Sequence, residues 1–126
     1  MSDLYELRLD WHLRTTLPAA LLAELRTHLG AGPAEEDDTE LLLDGSGPAL
    51  RIGGVLSGVV APIPDGWALV ARQEIHAEML EDLRALLDRL APHTAAPGVV
   101  GSLRFHEHET GDALEVRDGT VTGIDP

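Results

Sequence analysis

The sequence predicts an α+β fold with a ferredoxin-like βαββαβ core: an antiparallel sheet, two helices on one face, and a C-terminal β-hairpin. Three observations predict it. Residues 4–13 and the centre of 99–109 alternate apolar with polar side chains, as half-buried strands do. Residues 16–29 and 76–91 carry apolar residues at helical spacing. Asp118-Gly119 separates two short runs suited to strands, a strong hairpin signal.

The first strand, 4–13, puts Tyr5, Leu7, Leu9, Trp11 and Leu13 on one face and Glu6, Arg8, Asp10 and His12 on the other. The first helix, 16–29, can be capped by Thr16 and tolerates Pro18 in its first turn. Leu17, Leu21, Leu22, Leu25 and Leu29 form its apolar stripe, and Gly30 ends it. His28 and His93 read as surface residues. Residues 31–39 read as a self-repelling surface loop containing Glu35, Glu36, Asp37 and Asp38. The sharper alternatives there are a cation site or an acidic hook for a basic partner.

Leu41 to Leu43 reads as a short strand, and 49–61 as a longer one. In the latter Ile52, Leu56 and Val60 face the core, while Val55, Ser57 and Val59 face outward. Gly53, Gly54 and Gly58 suggest a bulge or a close backbone approach. After a turn at 62–66, the return strand 67–74 points Trp67, Leu69 and Ala71 inward. It points Ala68, Val70, Arg72 and Glu74 outward. The second helix, 76–91, has a wide face of Met79, Leu80, Leu83, Leu86, Leu87 and Leu90, stopped by Pro92. In the last core strand, 99–109, Leu103 and Phe105 oppose Arg104, His106 and His108. Residues 113–117 and 120–124 form the closing hairpin.

The length of 126 residues suits a single α+β domain spanning 1–126. Net charge is -13, from 22 acids against 9 bases, all of them Arg. Phosphate-binding surfaces need clustered cations, so this balance argues against nucleic-acid and anionic-membrane partners. It suits a basic protein partner, or plain solubility. There is no Cys, which excludes disulfides, thiolate chemistry and Cys-ligated zinc. No leader or transmembrane pattern is present, so a cytoplasmic location is the default expectation.

Several chemistries fail on spacing. No Gly-rich run ends in Gly-Lys-Ser/Thr or opens a helix as a dinucleotide fingerprint does. Ser57 lacks the first glycine of a nucleophile elbow. His76-Ala77-Glu78 has the deaminase His-x-Glu spacing without the cysteines that zinc site requires. Schiff-base chemistry has no Lys to use.

His106 and His108 survive. At i,i+2 on one strand two imidazoles share a face and can reach one divalent transition metal. His12 on the adjacent first strand is the candidate third ligand, with Asp10, Glu6 and Glu74 as further donors. The competing and preferred reading is a solvated face, with Arg8, Arg72 and Arg104 paired across strands to Glu6, Asp10 and Glu74; no cofactor is then needed. Tyr5, Trp11, Trp67 and Phe105 all fall on inward faces and read as core, leaving no aromatic cage. Val55, Val59 and Val70 make an outward apolar patch that needs cover, by a homodimer or by another protein.

From residue 75 onward the chain resembles small immunity proteins of bacterial polymorphic-toxin systems. The likeness lies in the second helix, in "APGVVGSLRFHEHE" at 96–109 and in "LEVRDGTVTGIDP" at 114–126. The resemblance implies a non-enzymatic protein that binds and masks a toxin, and transfers no binding residue. Two functions are therefore expected in competition. One is an acidic protein-binding module of the immunity type. The other is a small-molecule-binding or metal-dependent enzyme of the dimeric ferredoxin-like type, using His106 and His108.

Overall fold

A computed structural model describes residues 3–30 and 41–124 of the chain. The predicted acidic loop with Glu35, Glu36, Asp37 and Asp38 lies outside them. The architecture is mixed α+β. Seven strands form one antiparallel sheet: β1 (Leu4–Arg14), β2 (Gly47–Pro48), β3 (Val55–Ile63), β4 (Gly66–His76), β5 (Gly98–Phe105), β6 (Asp112–Arg117) and β7 (Thr120–Thr122). Their spatial order is β2-β3-β4-β1-β5-β6-β7. The helices are α1 (Ala19–His28) and α2 (Leu80–Leu90). The closing hairpin thus extends the sheet rather than standing apart from it.

β1 is central because its inward face is continuously apolar. Leu7, Leu9, Trp11 and Leu13 are buried with Leu69, Ala71, Leu103, Leu25 and the leucines of α2 in one cluster. Both helices contribute to that cluster, and Arg89 of α2 pairs with Glu24 of α1. The Trp11 indole N–H donates to the Thr94 hydroxyl at 2.9 Å, so its polar atom is satisfied at full burial. The two outermost strands are short, two residues in β2 and three in β7.

Several boundaries differ from the sequence expectation, each for a local reason. α1 starts at Ala19, not Thr16, and Thr16 does not cap it: Pro18 is the extended N-cap residue, at φ -60 and ψ 143. Proline also drives the preceding Leu17 away from helical geometry, so the helix begins only beyond it. β4 runs on to His76 because Leu4 remains its partner, and Ala77 donates to the Asp3 carbonyl. A single 3-10 turn, Ala77–Met79, then leads into α2. The 49–61 strand is shorter at its start: β3 begins at Val55, after Gly53 and Gly54 at φ 76 and 70. The hairpin turn at Asp118 and Gly119 takes φ 52 and 77, the left-handed pair that a two-residue turn requires.

Leu41 to Leu43 is not a strand. Leu42 and Leu43 are buried, but side chains anchor the segment in place of a ladder. His28 Nδ1 accepts from the Leu42 N–H at 3.3 Å, and the His28 carbonyl accepts from Leu43 at 3.0 Å. Gln73 is 2 % exposed on the inward face of β4. Its oxygen accepts from the Gly45 N–H at 2.8 Å, and its amide nitrogen donates to the Gly45 and Ser57 carbonyls. Gln73 therefore acts as a backbone peptide group would. Gly58 permits the close approach, since a Cβ there would stand 2.8 Å from a Leu29 methyl and 2.9 Å from the Leu43 carbonyl. The surface reading of His28 is corrected: it is 7 % exposed.

Candidate functional site

The sheet face away from the helices is open. Antiparallel register arranges its outward residues in rows. Glu74, Glu6 and Arg104 form one row, and Ser57, Arg72, Arg8 and Ser102 the next. Beyond them lie Val59, Val70 and Asp10, then Ala61, Ala68 and His12.

Glu6 is the hub of the charged rows. It is 6 % exposed although it points outward, because three arginines fold over it. Arg8, Arg72 and Arg104 each approach a carboxylate oxygen with Nε at 2.9 Å. Burial alone would push this carboxyl up. The hydrogen bond from Arg104, the charge of Arg8 and the bond from Arg72 outweigh it and hold the group below the usual carboxylate range.

Two of the arginines also fasten loops. Arg72 Nη1 donates to the Gly53 carbonyl at 2.7 Å, and Nη2 to Ile52 at 3.3 Å. Arg104 Nη1 donates to the carbonyls of Phe105, His106 and His108. Glu74 completes the arrangement by accepting from the backbone N–H groups of Leu50, Arg51 and Ile52 at 2.8, 2.7 and 3.2 Å. Burial raises its pKa, and these three amide bonds and Arg72 lower it further than burial raises it. Glu6 and Glu74 are thus occupied by internal donors.

The valine patch flanks this hub. Val55, Val59 and Val70 are 64, 54 and 45 % exposed, and Val59 faces Val70 across the β3–β4 pair.

His106 and His108 are not on a strand, which corrects the expected 99–109 element. β5 stops at Phe105, opposite Tyr5, and the His106 N–H donates to the Leu4 carbonyl as the last rung. The chain then turns around the Arg104 guanidinium. The two imidazoles stand in one turn beside Phe105, their rings 4.7 and 5.1 Å from its ring. His12 is eight residues along β1 from Leu4, roughly 25 Å at strand rise. It sits opposite Ala68, near the valines. The structure brings His106 and His108 together and leaves His12 apart. Among the described residues no group of three or more His, Asp or Glu is placed to hold a metal ion.

Tyr5 and Phe105 were expected in the core. They are half-buried instead, in an edge-to-face pair with centroids 5.4 Å apart, beside a cavity whose described lining includes no residue of either helix. Trp67 is also half-buried, with the Arg26 guanidinium 5.3 Å above its ring. Sequence reasoning missed Gln73 and His28 as anchors. Parity offered a signal for Gln73, two residues beyond Ala71 on the inward face. Comparison of the chain with family models, with curated proteins and with solved structures finds no match in any of the three.

Proposed function

We propose that this chain is a non-enzymatic protein-binding module that presents the open sheet face, built on a ferredoxin-like βαββαβ core. The core reading is supported by the order β3-β4-β1-β5 and by α1 and α2 lying in the two longer connections. The observation that carries the function is the set of exposed valines beside carboxylates already engaged by donors of the same chain. Covering Val55, Val59 and Val70 removes apolar area from water. The adjacent Glu6 and Glu74 keep their donors within the chain, so covering these two leaves neither carboxylate unpaired.

An immunity-type inhibitor of a toxin is the form of this function that the sequence resemblance suggests, and the charge of -13 suits a basic partner. A metal-dependent enzyme on His106 and His108 has less support. Those residues sit on a turn, and among the described residues no third ligand is placed with them to hold a metal ion.

The test is direct. The product of the adjacent reading frame is titrated with this chain by calorimetry, beside a Val59→Asp/Val70→Asp variant. Saturable binding that the variant weakens at least about tenfold supports the reading. Equal binding by both proteins moves the interface elsewhere, and absence of binding removes the toxin form. Light scattering at high micromolar concentration tests a second copy as the occupant: a dimer must become monomeric in the same variant.

A further inference from the structure

At the corner where β1 begins and β5 ends there is a cavity of ≈ 580 Å³, within the range of small-ligand sites. Its described lining comes from strands and turns, with no residue of α1 or α2. Tyr5 and Phe105 line it, their rings set edge-to-face at 61°, and the His108 ring stands 5.1 Å from that of Phe105. Asp3 and Asp112 line the same space. No arginine is in its described lining. Arg104, the cation fixed beside it in sequence, has its Nε on Glu6 and one terminal nitrogen on the turn carbonyls.

Each feature selects for the same ligand chemistry. Aromatic faces carry negative potential and attract cations, best of all soft organic ones. Carboxylates make charge-assisted bonds to N–H donors and repel anions. The rings offer nothing to a hard metal ion, which needs oxygen or nitrogen donors at closer count. A neutral apolar guest would gain nothing from either carboxylate.

We propose that this cavity binds an organic cation, a guanidinium or alkylammonium group, seated against Tyr5 and Phe105 and paired with Asp3 and Asp112. The site is distinct from the valine face, so it stands or falls separately from the protein-binding reading.

The probe is N-acetyl-arginine amide, with N-acetyl-citrulline amide as its uncharged near-isostere. Both are titrated into the full chain at pH 8 and low salt, followed by calorimetry and by NMR of the Tyr5 and Phe105 ring signals. Arginine amide is expected to saturate and to shift both rings, and the citrulline compound is expected to do neither over the same range. Asp3→Asn/Asp112→Asn should weaken binding at least about tenfold. Both aspartates are exposed and the changes are isosteric, so an unchanged thermal melt separates lost binding from lost fold. Phe105→Leu, which keeps apolar bulk without the ring, should weaken binding several-fold. A short peptide with one central arginine distinguishes the sources. Tighter binding than the single residue points to a partner's side chain, and equal binding points to a free small cation. Equal affinity for arginine and citrulline compounds, ring signals that do not move, or full binding by the double variant would each overturn the proposal.

Discussion

The two ends of β1 obey the same alternation and meet different fates. At one end Trp11 and Leu13 are fully buried, joined by Leu69, Leu90 and the Thr94 hydroxyl. At the other, Tyr5 points to the same side of the sheet but lies half-buried, beside Phe105 and an open cavity. The difference is the second layer. Residues of α1 and α2 belong to the cluster that seals Trp11 and Leu13, whereas no residue of either helix is in the described lining of the cavity beside Tyr5. Parity along a strand decides which face a residue takes; what covers that face is decided by elements far away in sequence.

Substitutions should show this contrast as a gradient. Trp11→Ala should cost about 3–5 kcal/mol, the most of any change along β1, because it opens a sealed cavity and leaves the Thr94 hydroxyl only its bond to the Ala91 carbonyl. An unchanged denaturant midpoint would mean that this end is not sealed. Glu6→Ala should cost roughly 1–3 kcal/mol, since Arg8, Arg72 and Arg104 lose their common acceptor. Its mark is regional: hydrogen exchange should quicken in the loops at 50–55 and 105–108, which Arg72 and Arg104 fasten. Tyr5→Ala should cost only about 1–2 kcal/mol, as a ring already half in water has less to lose. A cost equal to that of Trp11→Ala would erase the distinction between the ends.

Acid supplies a finer probe. Burial holds the His28 imidazole below its ordinary pKa, against the opposing pull of Glu24, with Arg89 lowering it and Asp44 and Asp82 raising it. The folded protein therefore binds fewer protons here than the unfolded chain, and His28 contributes stability that is present above roughly pH 6.5. That contribution falls away as pH drops through the lower folded value. Protonation also removes Nδ1 as the acceptor for the Leu42 N–H. Glu6 and Glu74, both lowered, add a second loss that begins only below about pH 4.5. Thermal melts against pH should show two steps, and His28→Asn should remove the upper one. A single step in the wild type would contradict the buried acceptor role. Smallest of all, Asp112→Asn should leave stability within about 0.5 kcal/mol, as an exposed carboxylate at the open corner should.

What could be read from the sequence follows the same division. Strand faces in β1, β4 and β5, the stripe of α2 and the Asp118-Gly119 turn are local patterns, and they were legible. The interleaving of Arg8, Arg72 and Arg104 with Glu6, Asp10 and Glu74 reads as cross-strand ion pairs; the arginines pair with Glu6, while Glu74 accepts from the backbone of residues 50–52. The convergence of the arginines on one buried carboxylate was not legible, because that depends on register among three strands. His28 looked like the polar side of a helix until residues 41–46 lay across it. His106 and His108 continued an alternation that nothing local interrupts. β5 ends there because β1 ends, at Leu4.

The central place of β1 also sets the order of assembly. Its partners are remote: Arg14 meets Gly66, and Tyr5 meets Phe105. The β3–β4 and β6–β7 hairpins close through short turns and can form in microseconds. The sheet becomes continuous only when β1 inserts between β4 and β5, and non-local pairing of that kind belongs to the millisecond-to-second range. Until then the apolar row from Leu7 to Leu13 has no cover, so the interval before β1 is captured is when this chain is most exposed to aggregation.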